Sequence, residues 1–207
     1  MIVSQIRPNE VSDERTVDAI AAVPREEFVP KALKGVAYVD EDLEVAPGRF
    51  LMEPMTFARL VMAAGVKADD LVLVVGDSTG YTAAVLSQLG QTVVSLEDDD
   101  AEAAEAEQNV ARLDITNVVV VRGDLTAGVA DQAPFDVIFL CGGVETLPAA
   151  LSEQLAEGGR IVGVYVEAGV GKVRLWSKRG GVIGHRDLYD AYVPVLEGFA
   201  APESFSF

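Results

Sequence analysis

The 207-residue sequence has one cysteine, Cys141, and one histidine, His185. A lone cysteine excludes an internal disulfide. One histidine without a cysteine pair excludes a metal site of recognisable spacing. The neighbours of Cys141, "VIFLCGG", read as the end of a buried strand, which makes it a small core residue rather than a nucleophile. His185 falls in "GVIGHRD", a turn or strand start, and reads as exposed. No run reaches the roughly eighteen apolar residues of a membrane span. The opening "MIVSQIRPNE" lacks the basic and apolar regions of a secretory signal, so a cytoplasmic protein is expected. Basic residues are scarce: sixteen Lys and Arg stand against thirty-three Asp and Glu, a net charge of −17. Such a surface repels phosphate backbones, and nucleic acid is not expected as a partner. The acidity itself reads as a solubility device.

Half of the residues are hydrophobic, enough for one well-buried core. Val11 to Val23 has helical spacing, with Val17, Ile20 and Ala21 on a common face. Pro24 stops it. Residues 24–48 read as irregular, with acidic turns. Pro54 suits the first turn of a helix running to about Ala64. From Leu71 the pattern changes to strands and helices in alternation. "LVLVV", "TVVSLE", "VVVVRGD" and "FDVIFLCG" are strands, the first apolar throughout as befits burial on both faces. Helices are expected at Tyr81–Leu89, through "DDAEAAEAEQNVARLD", and through "LPAALSEQLAEGG", the last ending at its glycine pair. "RIVGVYV" and "KVRLWSK" read as further strands, and "DLYDAYVPVLEGF" as a last one. This alternation predicts an α/β fold, a mostly parallel sheet with helices on both faces.

Three features sit at three successive strand ends. The first is the turn "GDSTG", with Gly76 and Gly80 but Ser78 where a middle glycine is usual. Taken alone it reads equally as a cofactor loop or a tight turn. The second is Glu97, closing its strand, where a carboxylate can accept both hydroxyl protons of a ribose. The third is Asp124, whose carboxylate can accept a hydrogen bond from an adenine amino group. Asp77 in the loop would repel a pyrophosphate, which disfavours NAD and ATP. It would tolerate a cationic nucleoside such as S-adenosyl-L-methionine.

With these residues in place the chain resembles the protein-L-isoaspartate (D-aspartate) O-methyltransferase family, from about Thr16 to Pro194. "VPREEFVP" with "AYVDEDLEV" is similar to that family's lead-in. "VLVVGDSTGYTAAVLSQL", "VVSLE", "NVVVVRGD" and "APFDVIFLCGGVETLPAALSEQLAEGGRIV" resemble its cofactor-binding strands and the segment after them. The resemblance implies a class I S-adenosylmethionine-dependent methyltransferase (Rossmann-like) fold in one domain, 1–207. Residues 1–66 would form a substrate-side lead and 67–207 the cofactor-binding core. It also implies methylation of isoaspartyl residues in damaged proteins. Gly76, Asp77, Ser78, Gly80, Glu97 and Asp124 would hold S-adenosylmethionine.

The departures from the family are specific. Its loop-strand acid falls on Val74, its middle glycine on Ser78, and its substrate serine on Met52, followed by Glu53. A thioether offers no donor. Thr56, one helical turn on from Met52, is the candidate replacement hydroxyl. The small residues Cys141, Gly142 and Gly143 are expected to leave room for substrate. Three readings remain: an isoaspartyl methyltransferase, a catalytically impaired relative that binds or scaffolds, and a methyltransferase with another substrate.

Overall fold

The apolar runs become the middle of one sheet. The computed structural model describes residues 1–202. Five parallel strands, β3 (Leu71–Val75), β4 (Thr92–Glu97), β5 (Val118–Arg122), β6 (Phe135–Val144) and β7 (Leu155–Glu167), are joined by antiparallel β8 (Val170–Arg179) and β9 (Val182–Asp190). Their spatial order is β5-β4-β3-β6-β7-β8-β9. The chain moves outward from β3 to β5, then returns to the far side of β3 as β6. That reversal places the ligand crevice of such sheets beyond the carboxyl ends of β3 and β6. Alternate residues of β3 serve opposite cores. Val72 and Val74 join one apolar cluster, Leu73 and Val75 the other. A strand covered on both faces has no position for an exposed polar side chain.

Local chemistry sets the helix ends. The Asp13 carboxylate accepts the Thr16 N–H at 3.0 Å and opens α1 (Glu14–Ala22). Pro54 occupies the first turn of α2 (Pro54–Ala64), and Gly65, at φ 54°, closes it. After α3 (Tyr81–Ser87), Asp99 accepts from the N–H groups of Ala101 and Glu102 at the start of α4 (Asp100–Arg112). Helix α5 covers only Ala149–Glu153.

The structure revises four sequence expectations. The helix expected to reach Gly158–Gly159 stops at Glu153, because Leu155 pairs with Phe135 as the start of β7. Strand pairing outweighs the helical propensity of "LSEQLAE" there. Ala21 is exposed, and the buried residues of α1 are Thr16, Val17, Ala19 and Ile20. The irregular lead contains a hairpin, β1 (Leu43–Ala46) and β2 (Arg49–Leu51), turned at Pro47–Gly48 with Gly48 at φ 73°. Finally, the last strand is β9. The segment after it runs back to the end of β6, where Val195 bridges Gly143.

Candidate cofactor site

The turn after β3 is built from unusual backbone. Gly76, Ser78 and Gly80 have φ of 75°, 55° and 82°. Each glycine has a different reason to be one. At Gly80 a Cβ would lie 3.1 Å from the Ala106 carbonyl, so its absence lets α4 pack against the turn. At Gly76 it lets other groups approach the backbone from the crevice. Ser78 takes the left-handed conformation at a cost of about 1–2 kcal/mol that glycine avoids. Glycine loses about 0.5–1 kcal/mol more entropy on ordering. Ser78→Gly is therefore expected to raise stability by roughly 0.5–1 kcal/mol, read as a small increase in denaturation midpoint. A decrease would show that the serine side chain contributes contacts outweighing its strain.

The two carboxylates behind this turn face inward. Asp77 is buried and accepts the N–H groups of Thr82 (3.0 Å) and Ala83 (2.9 Å), the first turn of α3. Burial raises its pKa. Glu97 is fully buried at the end of β4. Its Oε1 accepts the Asp77 N–H at 2.9 Å, and its Oε2 has no partner among the described residues. Burial, with the neighbouring Asp77 charge second, pushes the Glu97 carboxyl up to about 8. Asp124 is exposed, and its Oδ1 accepts from the N–H (2.8 Å) and hydroxyl (2.7 Å) of Thr126. Those bonds hold its pKa below the usual carboxylate range. It lines a crevice of about 710 Å³ with Asp98, Arg122, Leu125, Thr126 and Glu197. The structure thus gathers Gly76, Asp77, Ser78 and Glu97 into one buried unit. Asp124 stands at its open end, and Gly80 is turned toward α4.

Arg49 and Leu196 carried no signal of a role in the sequence. Arg49 is 6% exposed. Its guanidinium pairs with Asp98 and, at 3.4 Å, with Glu102, while Nη1 has no acceptor. A Cβ on Gly76 would lie 3.4 Å from that Nη1 and 3.1 Å from Leu196 Cδ2. A Cβ on Gly142 would lie 2.5 Å from Leu196 Cγ. The room expected beside Gly142 and Gly143 is thus taken by the chain's own tail. Gly143 N–H donates to Pro194 O at 2.8 Å, and Leu196 N–H donates to Gly143 O at 2.9 Å.

The substrate-side positions are largely apolar. Met52 and Val74 are both buried in the same apolar cluster as Phe57, Tyr81 and Cys141. The Thr56 hydroxyl is buried and donates to Glu53 Oε1 at 2.6 Å. Cys141 is buried 3.4 Å from the Thr82 hydroxyl, and burial raises its thiol pKa, which keeps it inert. His185 lies exposed on β9. No cluster of three or more metal-ligating side chains occurs among the described residues.

The site residues fit a nucleoside cofactor in one respect that the structure itself shows. Glu97 presents a buried carboxylate oxygen with no donor, at the strand end where a ribose would lie. Comparison with known proteins decides the family. Residues 1–199 match the profile of protein-L-isoaspartate(D-aspartate) O-methyltransferase. The chain belongs to that family. A curated member from Koribacter versatilis is 43% identical over 162 residues, covering 78% of this chain and 73% of its own. Another, from Roseiflexus sp., is 37% identical over 192 residues, 92% of this chain and 88% of its own. A solved protein-L-isoaspartate O-methyltransferase superposes with a TM-score of 0.82 at 30% identity, over 93% of this chain. The chain spans 63% of that protein's length. A Plasmodium falciparum structure, described as a putative family member in complex with S-adenosyl-L-homocysteine, superposes at 0.79 with 18% identity. The fold is that of the class I S-adenosylmethionine-dependent methyltransferases, as the sequence reading anticipated.

Proposed function

We propose that this family member is an S-adenosylmethionine-dependent carboxyl methyltransferase acting on isoaspartyl residues of proteins, in the cytoplasm. The observation that carries this reading is the unpartnered Glu97 Oε2, buried beyond β4, with Asp124 at the next strand end. Gly76 and Ser78 shape the backbone under the ligand. Glu97 accepts ribose hydroxyls, and Asp124 accepts from the adenine amino group. Asp77 acts through the loop, since both its oxygens hold α3. When bound, the cofactor supplies a methyl group on a sulfonium that leaves readily. Methyl transfer to a carboxylate oxygen would require no proton transfer, so no side chain need act as acid or base. The protein's task is to orient that oxygen and exclude water. Thr56 has no free donor while it bonds Glu53, so that bond must open before its hydroxyl could orient a substrate.

A second reading, an impaired relative that binds or scaffolds, draws support from Val74 and Met52. The two positions where the family places polar side chains are packed in apolar core here. Methylation of an isoaspartyl peptide, with the matching aspartyl peptide as control, separates the two. Methyl ester formed only on the isoaspartyl peptide is the expected result. Ester on neither peptide, with cofactor demonstrably bound, would leave the binding role or another substrate. No helix among the described residues is long and apolar enough to cross a membrane.

A further inference from the structure

We infer that Arg49 and Leu196 set cofactor affinity by occupying the crevice themselves, so that S-adenosyl ligands bind only as the 194–196 segment withdraws. The inference rests on the cofactor reading proposed above. Its first support is steric. Leu196 lies across both glycines of the switch point, against Gly76 after β3 and Gly142 at the end of β6. A ligand using the bare face of Gly76 must take the volume that Leu196 Cδ2 and Arg49 Nη1 now fill. Its second support is polar. Arg49 Nη1 is a buried donor without an acceptor, and Glu97 Oε2 is a buried acceptor without a donor. Buried polar groups are normally paired, and each unpaired one disfavours the state that contains it. A ribose, with hydroxyls that both donate and accept, would satisfy such atoms, and Leu196 cannot.

The closed arrangement is also held lightly where it must open. Three backbone hydrogen bonds fix the stretch that carries Leu196, two with Gly143 and one from the Phe199 N–H to the Leu196 carbonyl at 3.1 Å. Beyond it the chain is anchored separately. Phe199 is fully buried, and its carbonyl accepts the N–H groups of Glu145 (2.9 Å) and Thr146 (3.1 Å). Val193 and Phe199 are both fully buried, so residues 194–196 can swing between two seated ends. The crevice of about 710 Å³ beside Asp124 and Glu197 already offers entry next to this stretch.

The test is calorimetric titration with S-adenosyl-L-homocysteine, combined with amide hydrogen exchange on the wild-type protein. Leu196→Ala is expected to tighten binding about tenfold. Leu196→Val, a milder change that keeps most of the packing, is expected to shift it in the same direction by less. In the wild type, saturating ligand is expected to speed exchange at the Gly143 and Leu196 amides and leave Glu145 and Thr146 protected. Unchanged or weaker binding by both variants overturns the inference. So does tight wild-type binding with the Gly143 and Leu196 amides as protected as before, an outcome that leaves the proposed function standing. Absence of binding by wild type and variants alike overturns both.

Discussion

Glu97→Gln is expected to yield a protein that melts higher above pH 8 than the wild type yet binds S-adenosylhomocysteine roughly 10- to 100-fold more weakly. Burial and the Asp77 charge push the Glu97 carboxyl up to about 8, well above its ordinary 4.5. A raised folded-state pKa means that the folded protein favours the protonated acid. Its contribution to stability is complete below about pH 4.5 and is lost as pH climbs through 8. One unit of pKa corresponds to ~1.4 kcal/mol, so the loss amounts to a few kcal/mol. Glutamine keeps the acceptor for the Asp77 N–H and cannot ionise. The variant should therefore show a flat melting temperature from pH 5 to 8.5, where the wild type falls by about 5 °C or more. Binding changes in the opposite sense, because the free Oε2 position becomes an amide nitrogen that can only donate and cannot accept a hydroxyl proton. A gain in stability with a loss of affinity marks a residue retained for its ligand. If the variant instead binds as well as the wild type, Glu97 is not the ribose acceptor. Parallel melts and titrations at the two ends of this pH range measure both halves.

Asp77→Ala is expected to lower the melting temperature at pH 7 by about 5 °C. The carboxylate accepts two buried backbone N–H groups of α3, and each would be left without a partner. An unsatisfied buried donor costs about 1–3 kcal/mol. Removal of a carboxylate whose charge is disfavoured by burial offsets part of this, leaving a net loss of about 2 kcal/mol. Asp77→Asn separates the two contributions. It keeps one acceptor oxygen and removes the buried charge but leaves one N–H without an acceptor, so a loss of about 1 kcal/mol, half that of alanine, is expected. An asparagine variant as unstable as the alanine variant would show that the negative charge, rather than acceptor geometry, holds the turn. Thermal unfolding of the three proteins, with the helical signal followed by circular dichroism, provides the comparison.

What could be read in advance tracks how local the cause is. The runs at 71–75 and 92–97 announce buried parallel strands because composition alone fixes such burial, whereas the equally apolar run at 118–122 is a half-exposed edge strand. Glu97 was legible because position at a strand end decides which way its carboxylate lies. Asp77 was seen as a loop acid, but its direction was not legible, since it depends on where α3 begins. The boundary between α5 and β7 was misjudged because the partner that claims Leu155 is Phe135, twenty residues earlier. Arg49 and Leu196 left no trace. They reach Gly76 from opposite ends of the chain, and no spacing rule connects 49, 76 and 196.

The return of the tail to β6 has a consequence for truncation. Every strand of the sheet is specified by residues up to Asp190, whereas Pro194 and Leu196 follow it. A cut after Asp190 would therefore keep every strand residue and remove the leucine that covers Gly76 and Gly142 together.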